Sequence, residues 1–454
     1  MFGGLHEECG VFAIYGHQES SFLTYLGLHA LQHRGQESAG MAVGDGNNIN
    51  VYRHMGLVSD VFTEEHLRKL SGHLAIGHVR YSTTGGSGLV NVQPFSVKTR
   101  QGAIALAHNG NLTNTDALTR EFLENGQLFH SSSDSELLLH LVASQKTLEL
   151  EDALKVLFER AEGAYSVVVM TPRGVAAVRD PKGYRPLVIG KLGDAWVFSS
   201  ETTSLDLIGA TYEREVDPGE IVVADYKGIR SYKSKVKSVL AKCVFEYIYF
   251  ARPDSIVFGK PVYEVRKRLG RQLAIESPVP NADIVIPVPD SGVAAAIGYA
   301  QQMGVPFDMG LIRSHYVGRT FIEPEQRIRN FGVKLKLNPL PYYLRDKVVV
   351  VVDDSLVRGT TSRKLIQMLR ARGPKEVHMR ISSPPVRSSC HYGIDTPTSE
   401  ELIASRMDIR ETAKFVNADS VGYLSVHGLL NAIDENKEGY CTDCFKSMLP
   451  NRNL

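Results

Sequence analysis

Valine fills five consecutive positions, Val348 to Val352, and the run stops at two adjacent carboxylates, Asp353 and Asp354. A stretch that is apolar at every position reads as a strand buried on both faces, as in a parallel sheet. From about residue 260 such runs alternate with helical patterns. The order is helix Tyr263–Glu276, strand Ile284–Val288, helix Gly292–Met303, strand Met309–Ile312, the valine strand, helix Ser362–Arg372 and strand Glu376–Ser382. This alternation predicts an α/β doubly wound parallel sheet. The polar, basic stretch Arg313–Lys336 interrupts it at a length that marks a functional loop.

The first half has a different rhythm. Short β-type runs fall at Cys9–Tyr15, Gly40–Val43, Leu74–His78, Ile104–His108, Tyr165–Met170, Gly174–Val178 and Ala195–Ser199. Helical patterns fall at Phe22–Gln32, Asp116–Asn125, Ser133–Ser144 and Leu150–Ala161. Strands and helices in blocks predict an α+β arrangement of two sheets layered with helices. Charge rises and periodicity fades over Asp225–Ala241, which predicts the linker.

Composition changes this picture little. A chain of 454 residues suits two or three domains. A net charge of +1 exerts no general pull toward nucleic acid or membrane. No apolar stretch is long enough to span a bilayer, and the start, Met1 to Glu8, lacks the pattern of a secretory signal. A cytoplasmic location is expected. The five cysteines matter more: Cys9 stands alone, whereas Cys243, Cys390, Cys441 and Cys444 lie in the second half. In that compartment cysteines point to metal or catalysis before disulfides.

After Asp353 and Asp354 comes Arg358-Gly359-Thr360-Thr361-Ser362, a loop opening into a helix. Backbone N–H groups and hydroxyls at a helix N-terminus suit a phosphate, and the carboxylates suit sugar hydroxyls or a divalent cation. A second strand end, Ile286 to Gly292, carries Asp290 and Ser291. Together these motifs resemble those of the phosphoribosyltransferases. The resemblance implies that Arg358, Gly359, Thr360, Thr361 and Ser362 hold the 5-phosphate of phosphoribosyl pyrophosphate. Asp290 and Ser291 belong to the pyrophosphate loop. Asp353 and Asp354 take the ribose hydroxyls and, with Ser291, a Mg²⁺. The basic insert, with Arg319, resembles a lid over that site.

The first half carries Cys9-Gly-Val-Phe, His33-Arg-Gly-Gln, Gly77-His-Val-Arg80-Tyr-Ser-Thr83, His108-Asn109-Gly110 and Ser133-Asp134. In this order they resemble the class II glutamine amidotransferases, whose domain is an α-β-β-α sandwich with an N-terminal nucleophile. The resemblance implies Cys9 as nucleophile, with its own α-amino group as base, so residues 1–8 would be a propeptide. An α-amine, with a reference pKa of about 7.7–8.0, suits a base at neutral pH. Asn109 and Gly110 would form the oxyanion hole, Arg80 and Thr83 would hold the α-carboxylate of glutamine, and Asp134 its ammonium. His33, His78 and His108 read as hydrogen-bonded packing groups, and Arg34 and Gly35 as backbone contributors to the glutamine pocket.

Both halves in one chain resemble the glutamine phosphoribosylpyrophosphate amidotransferases of purine synthesis, with an amidotransferase domain over 9–240 and a phosphoribosyltransferase domain over 241–454. Within that family the four remaining cysteines match the branch carrying a 4Fe–4S cluster; zinc is the rival, since four thiolates also suit it. Tyr184 departs from the aliphatic residue expected in Gly183–Leu187. The resemblance further implies ammonia passage between the sites, purine nucleotide inhibitors and a homotetramer. A glutaminase fused to a sugar-phosphate isomerase lacks the paired Asp and phosphate loop. A regulator that only senses phosphoribosyl pyrophosphate would not need Cys9, Arg80, Asn109 and Asp134.

Overall fold

The computed structural model describes residues 9–81, 88–100, 102–147, 149–314, 337–434 and 437–446. The first half is built on two antiparallel sheets of seven and six strands. Strand Gly10–Tyr15 shows why they stack. Its Val11 and Ala13 enter an apolar layer shared with Ala105, Ala107, Val168 and Met170 of the other sheet. Its Phe12 and Ile14 point the opposite way, toward helix Ser20–Ala30. The two-residue side-chain period thus feeds two cores from one strand. On the outer face of the second sheet, helices Asp134–Ala143 and Leu150–Arg160 bury Leu137, Leu138, Leu154 and Leu157. The layers therefore run helix, sheet, sheet, helix.

The second half contains a parallel sheet in the order Ile284–Pro287, Val348–Asp353, Glu376–Ile381, Ser420–Tyr423. Its valine strand is buried on both faces. Val348, Val350 and Val352 lie in the core containing helices Val262–Glu276 and Val293–Met303. Val349 and Val351 pack with Leu365, Ile366 and Leu369 of helix Thr360–Arg370. None of the described helices is long and apolar enough to cross a membrane.

Three expectations need correction. The run expected as strand Met309–Ile312 forms only Leu311–Arg313 and pairs antiparallel with Leu337–Pro339, outside the parallel sheet. The fourth parallel strand is instead Ser420–Tyr423, too short to announce itself by pattern. Within the expected linker Asp225–Ala241, Gly228–Lys233 is an edge strand, so the irregular connection narrows to 234–241.

The helix pair that backs the parallel sheet meets through glycines. A Cβ on Gly298 would lie 1.9 Å from the Lys267 carbonyl oxygen, and one on Gly270 equally close to that of Ala295. Backbone cannot yield as a side chain does, so Gly298→Val must part the helices. We expect a loss of about 3 kcal/mol or more in urea unfolding. An unchanged midpoint would show that this close approach carries no stability.

Candidate active site

Cys9 precedes the central strand Gly10–Tyr15 and is buried, its Sγ 3.7 Å from the Tyr81 carbonyl oxygen. The neighbouring strand Leu74–Arg80 ends at buried Arg80, whose Nη1 lies 3.9 Å from Glu37 Oε2. Gly35 is packed so tightly that a Cβ there would sit 2.6 Å from the Arg80 nitrogen. From the second sheet, strand Gly102–Leu112 brings Asn109 and Gly110 to the same end. Asn109 reaches Ser200 Oγ at 3.5 Å, and that hydroxyl accepts the Val11 N–H at 3.0 Å. Gly110 has φ +146°, and a Cβ would lie 2.1 Å from the Ala164 carbonyl oxygen, so only glycine fits.

Asp134 opens helix Asp134–Ala143 and accepts the Leu112 N–H at 2.9 Å. Burial opposes its ionisation, but His108 and the hydrogen bonds outweigh burial and hold its carboxyl below the usual range. The histidines sit in hydrogen bonds. His78 Nε2 faces the His108 carbonyl oxygen at 3.0 Å, and burial lowers its pKa to about 3, leaving it neutral. His108 contacts Ser135 Oγ and the Ala164 carbonyl oxygen, each at 3.2 Å.

At the end of the parallel sheet Asp353 and Asp354 lie side by side. Burial, then the charge of Asp354, raises Asp353 well above the ordinary carboxylate range. Burial raises Asp354 too, against a hydrogen bond from Ser291 that favours its charged form. Ser291 thus joins the two strand ends, while Asp290 meets Arg313 at 2.6 Å. Gly359 takes a left-handed φ of +75° and starts helix Thr360–Arg370, whose first N–H groups have no partner within the helix. Arg358 Nη2 lies 3.0 Å from Glu401 Oε1. Thr83 and Arg319 lie outside the described residues, as do residues 1–8 and most of the basic insert.

The other cysteines converge. Cys243 and Cys441 are opposite one another in a short parallel ladder, and the Cys444 carbonyl accepts from the Arg387 and Ser388 N–H groups. Cys243, Cys390, Cys441 and Cys444 line one cavity of about 280 Å³, with Tyr184 and Tyr392 on its wall. Those two rings stack with centroids 4.2 Å apart, which gives the unexpected Tyr184 a packing role. The segment carrying Cys390 also crosses to the other half. Asn111 Nδ2 donates to the His391 carbonyl at 3.0 Å, and Arg185 donates to that of Tyr392 at 2.6 Å. A Cβ on Gly393 would meet the Gly110 carbonyl carbon at 2.9 Å.

Four residues carry no sequence motif: Ser200, which links Asn109 to Val11, and Glu201, Glu246 and Arg266 at the seam between the halves. Arg34 was assigned backbone groups, yet its side chain is the seam's hub. Nε donates to the Cys9 carbonyl at 3.2 Å, Nη1 reaches Glu201 Oε1 at 2.5 Å, and Nη2 reaches Glu246 Oε1 at 2.7 Å. A signal for Glu246 existed, as the one charge inside Cys243-Val-Phe-Glu246-Tyr-Ile-Tyr-Phe250. Buried charges in such runs are paired.

Residues 83–206 match the model of the glutamine amidotransferase domain, and residues 275–382 that of the phosphoribosyl transferase domain. A chloroplastic amidophosphoribosyltransferase of Vigna aconitifolia is 53% identical over 98% of this chain and 91% of its own length. The Bacillus subtilis amidophosphoribosyltransferase is 47% identical over 98% of this chain and 95% of its own. The solved glutamine phosphoribosylpyrophosphate amidotransferase of B. subtilis, complexed with ADP and GMP, superposes with a TM-score of 0.91 over 96% of either chain. With two such sites in one fold, and relatives this similar along nearly their whole length, the chain belongs to the amidophosphoribosyltransferases, the glutamine-dependent enzymes of purine biosynthesis.

Proposed function

We propose that glutamine is hydrolysed at Cys9 and that its ammonia passes through the interior to C1 of phosphoribosyl pyrophosphate, giving 5-phosphoribosylamine, glutamate and pyrophosphate. The observation that carries this reading is a buried cysteine at the start of the central strand, its Sγ 3.7 Å from the carbonyl of the residue after Arg80, in a chain that also sets two adjacent carboxylates, Asp353 and Asp354, at a parallel strand's end. The Cys9 thiolate attacks the amide carbon, and its own α-amino group, exposed once residues 1–8 are removed, takes and returns the proton. Ammonia leaves, and water releases glutamate from the thioester. Ser200 Oγ accepts from Val11, so its O–H can serve Asn109 Oδ1 once the amide is turned by half a rotation. Asn109 Nδ2 is then an unmet donor which, with the Gly110 N–H, receives the oxyanion. Arg80, with Thr83, holds the α-carboxylate of glutamine as a charge-assisted fork, and Asp134 holds its ammonium.

In the other half, the loop from Arg358 to Ser362 takes the 5-phosphate at the helix start. Asp353 and Asp354 hold the ribose hydroxyls and face the positive charge that builds at C1, and Asp290 and Ser291 hold the pyrophosphate end. Arg319 belongs to the basic insert, which by the family resemblance would act as a lid. Asp353, Asp354 and Ser291 also fit Mg²⁺, which takes a few oxygen ligands and leaves room for substrate. When bound, the cation neutralises the departing pyrophosphate.

The cysteine cavity fits a cluster better than a single ion. One zinc needs every sulfur about 2.3 Å from one centre. All four cysteines share a cavity of about 280 Å³, more room than one ion held at that distance by four thiolates would fill. We assign it a structural 4Fe–4S cluster that fastens the C-terminal segment. We further propose domains over 9–240 and 241–454, a homotetramer, feedback by purine nucleotides such as those bound in the B. subtilis structure, and a cytoplasmic location. The chloroplastic plant relatives make plastid import the rival that cell fractionation tests.

Cys9→Ala should abolish glutamine-dependent synthesis while ammonia-dependent synthesis persists. Equal loss of both in folded protein would refute separate sites.

The raised carboxylates predict a pH effect. Both folded pKa values lie above the unfolded value of about 3.9. As pH climbs past that value the unfolded carboxylates lose protons first, so stability falls until the folded values are passed. In chelator, Asp353→Asn should therefore melt higher than the parent at pH 8, with a smaller difference at pH 4. It should also lose synthesis from either nitrogen source. A parent-like melt at both values would remove the strain we assign to this pair.

Anaerobically purified protein should be brown and hold about four iron and four sulfide per chain. Cys441→Ser should lose both and expose its C-terminal segment to protease, because metal loss and local unfolding are coupled. One zinc in a colourless, active protein would mean the right ligands and the wrong metal.

A further inference from the structure

Glu246 belongs to the chain segment that leads into the phosphoribosyl half, yet its carboxylate is wholly buried against the glutaminase half. Its Oε1 and Oε2 accept from Arg34 Nη2 and Nη1 at 2.7 and 2.9 Å, a two-pronged fork, and Arg185 Nη1 stands 3.6 Å from Oε1. The same Arg34 guanidinium donates through Nε to the main-chain carbonyl of Cys9. Its other carboxylate, Glu201, is drawn elsewhere as well. Glu201 faces His33 Nε2 at 2.7 Å and accepts from Ser255 Oγ at 2.5 Å and the Arg252 N–H at 3.0 Å.

What holds Glu246 is equally specific. It begins the π-helical turn Glu246–Phe250, a form enriched at functional sites. Arg266, on helix Val262–Glu276, donates to the Tyr247, Tyr249 and Ala251 carbonyls at 2.7, 2.9 and 2.8 Å. Arg266 is itself buried, and Asp354 is the foremost negative charge acting on it. Hydrogen bonds thus run from Arg266, through the turn Glu246–Phe250 and the Glu246–Arg34 pair, to the Cys9 carbonyl.

We propose that Glu246 is a positioning residue for the glutamine half-reaction: fixed by the phosphoribosyl half, it aims the Arg34 guanidinium at the Cys9 carbonyl. A glutamine in its place would offer one acceptor to the fork and turn an N–H₂ toward the other N–H. Arg34 would then swing toward Glu201 and release Cys9. Small misplacements of a reacting group cost rate and leave substrate affinity largely intact. The inference rests on Cys9 as nucleophile, so Cys9→Ala is measured alongside.

The experiment uses full-length protein and three readings: glutamine hydrolysis, ammonia-dependent synthesis, and the rate at which iodoacetamide alkylates Cys9. For Glu246→Gln we expect kcat for glutamine hydrolysis and the alkylation rate to fall on the order of tenfold. KM for glutamine and ammonia-dependent synthesis should stay within about threefold of the parent. Glu246→Asp, which keeps the charge, should fall between the two, and it carries the test if Glu246→Gln does not fold. A change under about threefold in kcat and alkylation overturns the proposal, and so does an equal fall in ammonia-dependent synthesis. Persistent glutamine hydrolysis in Cys9→Ala would instead overturn the assignment of the nucleophile.

Discussion

A buried guanidinium must be matched by carboxylates or main-chain carbonyls, and this constraint joins the two halves of the molecule. Arg34, Arg185 and Arg266 are buried, and so are Glu201 and Glu246. Burial works against the ionisation of both glutamates, yet the neighbouring cations outweigh it and hold both carboxyls below their ordinary range. Such a knot adds little stability relative to apolar packing, because desolvation offsets most of the attraction. Breaking it is another matter, since each orphaned charge costs about 3–5 kcal/mol. The glutaminase layers and the parallel sheet can each be built from apolar patterning alone. Their relative placement cannot, because Arg34 reaches Glu246 across 212 positions of sequence.

That distance explains what the sequence could and could not convey. The valine strand was legible because both of its faces are buried, so its pattern is uninterrupted. Helices such as Leu150–Arg160 were legible because one apolar face repeats at the helical period. Strands Thr211–Glu215 and Gly228–Lys233 were not, since they lie at sheet edges with little buried surface to enforce alternation. Leu311–Arg313 was seen as a strand but given the wrong partner, because local apolarity does not specify what a strand pairs with. Among site residues, the motif-borne ones could be named from the chain. Ser200 ties Asn109 to Val11, two residues after Cys9, at one end of the sandwich. Glu246 and Arg266 had no motif, only the anomaly of charge inside apolar runs.

The seam has a second crossing with different chemistry. The segment after Cys390 lays the His391 carbonyl and Gly393 against the strand that carries Asn109 and Gly110, while the Tyr392 carbonyl accepts from Arg185. Cys390 is held in turn by its place in the cysteine cavity and by the Thr396 hydroxyl, which accepts its N–H at 2.6 Å. Whatever bridges those thiols therefore fixes a wall of the proposed oxyanion site as well as the C-terminal segment. Without a bridging metal, burial drives the Cys441 thiol up to about 11 and raises that of Cys444 as well. The three segments are then joined by the short ladder at Cys243, by the Arg387 and Ser388 N–H groups on the Cys444 carbonyl, and by the contact of the Phe245 and Phe445 rings.

The two crossings divide the work at the nucleophile. Arg34, steadied by Glu246, acts on the Cys9 main chain, whereas the His391–Gly393 segment backs the strand that carries the proposed oxyanion donors Asn109 and Gly110. Both supports come from the phosphoribosyl half. A glutaminase whose nucleophile and oxyanion donors are each braced from outside is poorly organised until the second half is in register. That suits an enzyme that must not release ammonia idly. The brace on Cys9 leads back through Arg34 and the turn that begins at Glu246 to Arg266, so the main chain at the proposed nucleophile is tied, through buried charge and main-chain carbonyls, to the helix that backs the parallel sheet.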